Sequence, residues 1–437
     1  MLLSLFSRAR VRATPSVQSC PLVCGFALAV AWLASSNVLA EGLDLNQRFS
    51  GFATFGVVTS DNPDLAFRRD IPQNFGSSSS DIEWRTDTLV GLQWQGSWSS
   101  SLDATVQVVA KDRYDDAIEN AVEWAFLRYR PIDGLDVRVG RLGGDVYMVS
   151  DYRHVGYALP WVRPPQDFYG LLSLYHFDGA DITKRFDLSG GTLNVKTFYG
   201  HSDEHYPGSD QTGPGVNLDF SIAGIVFNME WDEWKARYTY SEVDMHNNMA
   251  SALTDALEAV SPLWPEASAI AQEFSSRGKY IKYHAFGAAY DNNIWWARSE
   301  FASLKSDTLL GPNADYFYLS AGRRIDDFTI YGLYGLADPD NAPPSYTAPT
   351  GYPSPLAEQL NMVAQAASVT MLGINQDQSS IGVGVRWDFR PKMALKLQAD
   401  RFTIDPTGTN LWMTEGPPLF ADEQKSTVLS LTMDVLF

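Results

Sequence analysis

The sequence predicts an all-β protein, a transmembrane antiparallel β-barrel of about sixteen strands with long extracellular loops and an inward-folded third loop. Three observations predict it. Apolar and polar residues alternate in short runs from residue 49 to the end of the chain. Compact turns and long segments follow one another between those runs. No uninterrupted apolar stretch after residue 40 is long enough for a helical span.

The elements begin with a leader. Arg8, Arg10 and Arg12 form a basic segment, residues 21–33 are uncharged and largely apolar, and Val38-Leu39-Ala40 ends like a cleavage site before Glu41. Residues 1–40 therefore read as a cleavable export signal and residues 41–437 as the barrel. A membrane anchor fits less well, because the apolar part is short against the roughly 20 residues of a helical span. Cys20 and Cys24 both fall inside the leader. The rest of the chain can hold no disulfide, thiol nucleophile or cysteine-containing zinc site. The leader also takes three of the 33 basic residues and none of the 52 acidic ones, leaving the remainder more acidic than the whole chain's net charge of −19. An anionic surface of that kind argues against a nucleic-acid partner.

The strands follow in order. The first covers 49–58. In 89–98, Val90, Leu92, Trp94 and Trp98 oppose Gly91, Gln93, Gln95 and Ser97, and in 102–110 Leu102, Ala104, Val106, Val108 and Ala110 oppose Asp103, Thr105 and Gln107. Further runs start near Val122, Leu135, Ala180, Leu193, Phe220, Glu233, Lys279, Ile294, Ala314, Phe328, Ser380, Ala394 and Thr427. An even count closes a single-chain barrel with both termini on one side. Turns such as 131–134 and 390–392 contrast with long segments at 59–86, 142–178, 200–218, 243–277, 337–378 and 403–426. Trp94, Trp98, Trp124, Tyr129, Tyr199, Trp234, Tyr238, Tyr240, Trp295, Tyr331, Trp387 and Phe389 fall near strand ends, as interfacial aromatic girdles require. In the last run Thr427, Leu429, Leu431, Met433, Val435 and Phe437 share an oily face, with Ser430, Thr432 and Asp434 on the other and Val428 and Leu436 as apolar exceptions there. A terminal Phe so placed resembles the closing strand of bacterial outer-membrane barrels, in which it serves as an assembly signal.

A mid-strand cation facing lipid costs about 2–4 kcal/mol, so such cations are expected on the lumen wall. Arg128, Arg130, Arg138, Lys196, Lys235, Arg237, Arg298, Arg323, Arg386, Lys396 and Arg401 are assigned there, with Arg298 and Glu300 two apart on one face. The alternative role for each is a structural ion pair.

Residues 142–178 are too apolar for a solvated tip, since Tyr157, Leu159, Trp161, Val162, Phe168, Tyr169, Leu171 and Leu172 call for burial. A third loop folded into the barrel would bury them. With Gly140-Arg141 ending the preceding strand, the chain here resembles the bacterial general-porin superfamily. The Gly156-Tyr-Ala-Leu-Pro-Trp-Val-Arg-Pro-Pro165 stretch and the hairpin of Trp387 to Gln398 resemble a lesser-characterised group of proteobacterial outer-membrane proteins. The resemblance implies a passive, usually trimeric pore for small hydrophilic solutes or ions, in the Gram-negative outer membrane among lipid and lipopolysaccharide. Delivery by the barrel-assembly machinery through Phe437 is implied with it. Asp145, Asp151 and Asp167 would form the acidic edge of the constriction, beside Arg153, Tyr157, Trp161 and Arg163. Arg128, Arg130, Arg138 and Arg141 would form the facing basic cluster. The Pro-rich, aromatic third loop departs from better-known porins and leaves ion preference and pore size open.

Two other classes compete. An outer-membrane enzyme needs a nucleophile–base pair, and of His154, His176, His201, His205, His246 and His284 only His154, in the constriction segment, is a candidate to test. No Gly-x-Ser-x-Gly or His-Glu-x-x-His motif accompanies them, so no catalytic residue, metal or cofactor is assigned. An adhesive or ligand-gated barrel would use a loop surface, and 250–260 is helical in period. A start near residue 48 leaves no room for a plug domain. The Asp338-Pro-Asp-Asn341 segment reads as a solvated turn.

Overall fold

Alternation at a period of two suits a sheet whose faces meet different solvents, and the chain closes one such sheet on itself. The computed structural model describes residues 45–437 except 80, 115–116, 172–173, 208–214 and 415. The export signal expected at 1–40 lies outside the described residues, as does Leu172. Strand β1 is Asn46–Ser60, β2 Leu89–Ser97, β3 Leu102–Lys111, β4 Val122–Ile132, β5 Leu135–Gly143, β6 His176–Leu188, β7 Gly191–Tyr206 and β8 Val216–Trp231. Then come β9 Trp234–Met245, β10 Tyr280–Asp291, β11 Trp295–Ser306, β12 Ala314–Ile325, β13 Phe328–Pro339, β14 Gln376–Arg390, β15 Met393–Thr409 and β16 Gln424–Leu436. Each pairs antiparallel with its sequence neighbours and β16 returns to β1, which leaves no free edge. The seam is completed by Gly51 N–H to Phe437 O at 2.8 Å and Phe437 N–H to Gly51 O at 2.9 Å.

One end of the barrel carries the short turns. Their left-handed residues are Gly134, Gly190, Asp232, Asn293, Asp326 and Lys392, and all but the last are types that tolerate positive φ. The faces divide as the alternation requires. Phe55, Leu127, Ile182, Phe286, Ile381, Val383 and Leu397 are exposed on the outside, while Thr54, Ser320, Ser380 and Gln398 are buried inside. On β16, Leu429 is 48% exposed and its neighbour Ser430 only 2%. That inversion of the water-soluble pattern is what lipid outside and a polar interior produce. Near the short turns Phe328 stacks on Trp387 and Trp234 lies 4.9 Å from Tyr290, part of an aromatic girdle. Tyr331 is an exception to the girdle reading, because it points inward and donates to Gln398 at 2.8 Å.

Three assigned lumenal cations face outward instead. Arg323 shares its face with Leu319 and Ile325, and its guanidinium lies 5.1 Å from the Trp295 ring centroid. Arg324 takes the inward position, bonded to Asp291. Arg141 shares its face with Val137 and Val139 and pairs with Asp178 at 2.9 Å, and Arg401 joins Asp61 and Thr427. All three sit near a barrel rim, where a cation reaches water and the midplane penalty does not apply.

The other end carries the long loops. In the fifth, helices α1, Ser251–Val260, and α2, Glu266–Phe274, pack with α3, Ser354–Ile374, of the seventh around Leu257, Trp264, Phe274, Leu360 and Met371. The periodicity of 250–260 anticipates α1 alone. No helix among the described residues is long and apolar enough to cross a membrane. Ala66–Phe67 of the first loop pairs with Trp412–Met413 of the last, closing a small core with Phe402 beneath. The third loop, between β5 and β6, folds inward.

Candidate functional site

The third loop crosses the lumen as a chain of tethers. At its start Asp145 accepts from Arg237 Nη2 of β9 at 2.6 Å and from Lys196 of β7. Arg237 also donates to the Asp145 carbonyl at 2.7 Å, so side chain and backbone are held together. Next, Glu300 of β11 accepts from Met148 N–H at 2.9 Å, from Tyr318 OH at 2.8 Å and from Tyr169 OH. Glu300 therefore serves the loop, and the pairing with Arg298 suggested by their spacing does not form.

The Gly156–Trp161 stretch is clamped through its backbone. Lys396 Nζ of β15 donates to the carbonyls of Gly156 and Trp161, both at 2.7 Å, and pairs with Asp434 of β16 at 2.8 Å. Arg386 of β14 donates to the carbonyls of Tyr157 at 2.7 Å and Leu159 at 2.9 Å. The two cations thus pair four carbonyls that would otherwise be buried away from water. Gly156 is required where it sits: a Cβ there would lie 2.1 Å from Asp434 Oδ1 and 2.4 Å from Thr54 Oγ1.

Beyond the clamp, Trp161 is fully buried, donates from Nε1 to Ser320 Oγ at 2.8 Å, and meets Tyr318 and Trp296 edge-on. Arg163 forms a forked pair with Asp87 at 2.9 and 2.6 Å and reaches Ser430 at 2.5 Å. Asp167, in the helical turn Gln166–Tyr169, accepts from Gln378 at 2.7 Å and Ser380 at 2.5 Å. Burial raises the Asp167 carboxyl above its usual range, with those two bonds opposing the shift. The tethers reach β7, β9, β11, β12, β14 to β16 and the turn before β2, so the loop spans the lumen and does not lie along one wall.

His154 lies 3.4 Å from Glu123 and 5.2 Å, centroid to centroid, from the Tyr175 ring. Burial pushes its imidazole down to about 3 despite Glu123, so the ring is neutral. The surroundings are those of a packed loop side chain.

The sequence-predicted residues thus divide into separate groups. Lys196, Arg237, Arg386 and Lys396 hold the loop, and Lys396 is fully buried there. Arg128 and Arg130 share Asp103 at 3.1 and 2.6 Å, and Arg138 pairs with Asp181. Arg298 lies 5.5 Å from the Trp161 ring centroid with a buried Nη1 that has no hydrogen-bond partner among the described residues. The expected opposition of basic cluster to acidic edge is not made by direct pairs, because Asp145 and Asp167 have the other partners given above. Of the loop residues, Asp145, Trp161, Arg163 and Asp167 are buried, Arg153 and Tyr157 are partly covered, and Asp151 is exposed. Arg153 lies 4.4 Å from the Tyr175 ring centroid. Asp87, Glu123, Gln378 and Ser380 were not anticipated. For Glu123, Gln378 and Ser380 inward strand parity is the available signal, whereas Asp87 lies in a turn before β2 and has none; only the folded loop supplies the partner.

A closed sixteen-stranded antiparallel barrel with its third loop inside is a distinctive architecture. The fold is that of the porins. The outer-membrane channel DcaP of Acinetobacter baumannii superposes with a TM-score of 0.52 at 9% identity, covering 90% of this chain and 97% of that one. OmpF of Salmonella typhi, in complex with daunomycin, gives 0.49 at 14% identity over 92% of this chain and 99% of that one. A Rhodobacter blastica porin variant gives 0.44 at 14%, covering 90% and 100%. No family model and no curated protein matches the sequence. At these identities the likeness to the porin fold concerns architecture alone.

Proposed function

We propose that this protein is an outer-membrane channel through which small hydrophilic solutes or ions move down their gradients, with the third loop setting the passage. The observation that carries the reading is the loop itself, held across the lumen by charged wall residues. At two places the wall cations outnumber the carboxylate they share. Asp103 holds two arginines, and Asp145 holds Arg237 and Lys196. A wall with surplus positive charge favours anions over cations. The same reading includes a homotrimer surrounded by outer-membrane lipid and lipopolysaccharide, inserted by the assembly machinery through Phe437.

Planar-bilayer recording tests it. Reconstituted protein is expected to give stepwise currents, with a reversal potential in a KCl gradient on the anion-preferring side. The absence of current steps at either polarity, in the native protein and in an Arg163→Ala variant with a loosened loop, would exclude a channel. A clear cation preference would exclude the anion filter while leaving the channel standing.

A further inference from the structure

A second cluster of functional groups lies outside the lumen. His201 of β7, Asp219 of β8 and His246, the residue after β9, come from three neighbouring strands, all on the outward side. One candidate ligand atom from each lies within 4.8 Å of the other two. His246 Nδ1 is 3.0 Å from Asp219 Oδ1, and His201 Nδ1 is 3.7 Å from the same oxygen. The two imidazoles are nearly parallel, at 11° with centroids 5.6 Å apart.

The surroundings hold this geometry. Ser221 Oγ lies 3.1 Å from His246 Nε2, so the hydroxyl can accept from Nε2–H and leave Nδ1 to a metal. His246 N–H donates to the Asp219 carbonyl at 2.8 Å, and Asp219 N–H donates to Asn247 Oδ1 at 3.2 Å. Two of the three groups are thus fixed to each other through the backbone. The register sets Asp203 opposite Asp219, adding negative charge beside the cluster. Asp178, opposite His201, is paired with Arg141. Tyr199, two residues before His201 on the same face and 65% exposed, marks the apolar wall just below. The cluster therefore stands at the long-loop rim, where the wall leaves lipid.

We propose that His201, Asp219 and His246 form a surface site for a divalent transition metal of the zinc class. Two imidazoles and one carboxylate are a ligand set suited to such ions, and three protein ligands leave a coordination position for water or an outside group. Binding takes both imidazoles neutral and the carboxylate ionised, and any proton held between His246 Nδ1 and Asp219 passes to solvent. The site is independent of conduction.

Zinc alone is the probe, added to tag-free, detergent-purified protein at pH 7.5 in competition with a chromophoric zinc indicator. One zinc per chain is expected. His201→Ala and His246→Ala should each weaken binding at least as much as Ser221→Ala, for which about tenfold is expected from the loss of an outer-shell partner. His205→Ala, a neighbouring histidine on the same strand, should leave binding unchanged. Heat-modifiable electrophoretic mobility would verify that each variant keeps the barrel. The site is overturned if native protein binds no zinc, or if the His201→Ala/His246→Ala double variant binds it as tightly as native protein.

Discussion

At the scale of single residues, the chain separates charges that look equivalent in one dimension. Lys396 and Arg386 spend their charge on loop carbonyls, and Arg163 spends its charge on Asp87. Buried pairs of this kind contribute little net stability but are costly to break from one side, at about 3–5 kcal/mol. Arg163→Ala leaves Asp87 buried without its cation, with Asp400, 3.7 Å from Arg163, also deprived. The variant should therefore release part of the loop. Trypsin cleavage at Arg153, slow in native protein, should become fast, while the barrel stays intact by electrophoretic mobility. An unchanged cleavage rate would show that the remaining tethers suffice.

At the scale of elements, strands and loop helices are stabilised by different means. A strand is held by ladder bonds on both sides, whereas α1, α2 and α3 depend on a small apolar core around Leu257, Phe274 and Leu360. Phe274→Ala removes a fully buried ring, a loss of about 3–5 kcal/mol. The helical cap should open while the barrel remains folded, seen as rapid hydrogen exchange confined to 251–274 and 354–374. Faster exchange spreading into β10 to β14 would instead mean that the cap braces the wall. The sequence announced the strands more clearly than these helices. Alternation over a dozen residues has few competing explanations, but α3 is rich in Ala and small residues in a long loop and carries little apolar periodicity. The third loop was legible as a buried segment because of its aromatic and proline content. Its tether partners were not legible, since they come from strands far away in sequence.

At the scale of the whole molecule, the barrel is a ring whose last joint is the terminus. Phe437 bonds to Gly51 through both main-chain groups, and its ring occupies the space a Cβ at Gly51 would need, 2.2 Å away. An aromatic side chain covering a strand glycine seals the seam. Phe437→Ala should keep the main-chain bonds but uncover Gly51, lowering the yield of heat-modifiable folded barrel on refolding into detergent. Equal yields would place the importance of Phe437 in cellular assembly alone.

The sequence by itself indicated about sixteen strands, the alternation of an apolar and a polar face along most of them, and which loop turns inward. Those properties depend on local alternation and on the solvent each face meets, and they need no knowledge of partners. Only the tertiary structure decided which lumenal cations hold the third loop, that Arg141 and Arg323 look outward near the rims, and that His201, Asp219 and His246 meet. Such pairings depend on register between strands and on the path of a loop through the interior, and neither is written in the period of a single segment.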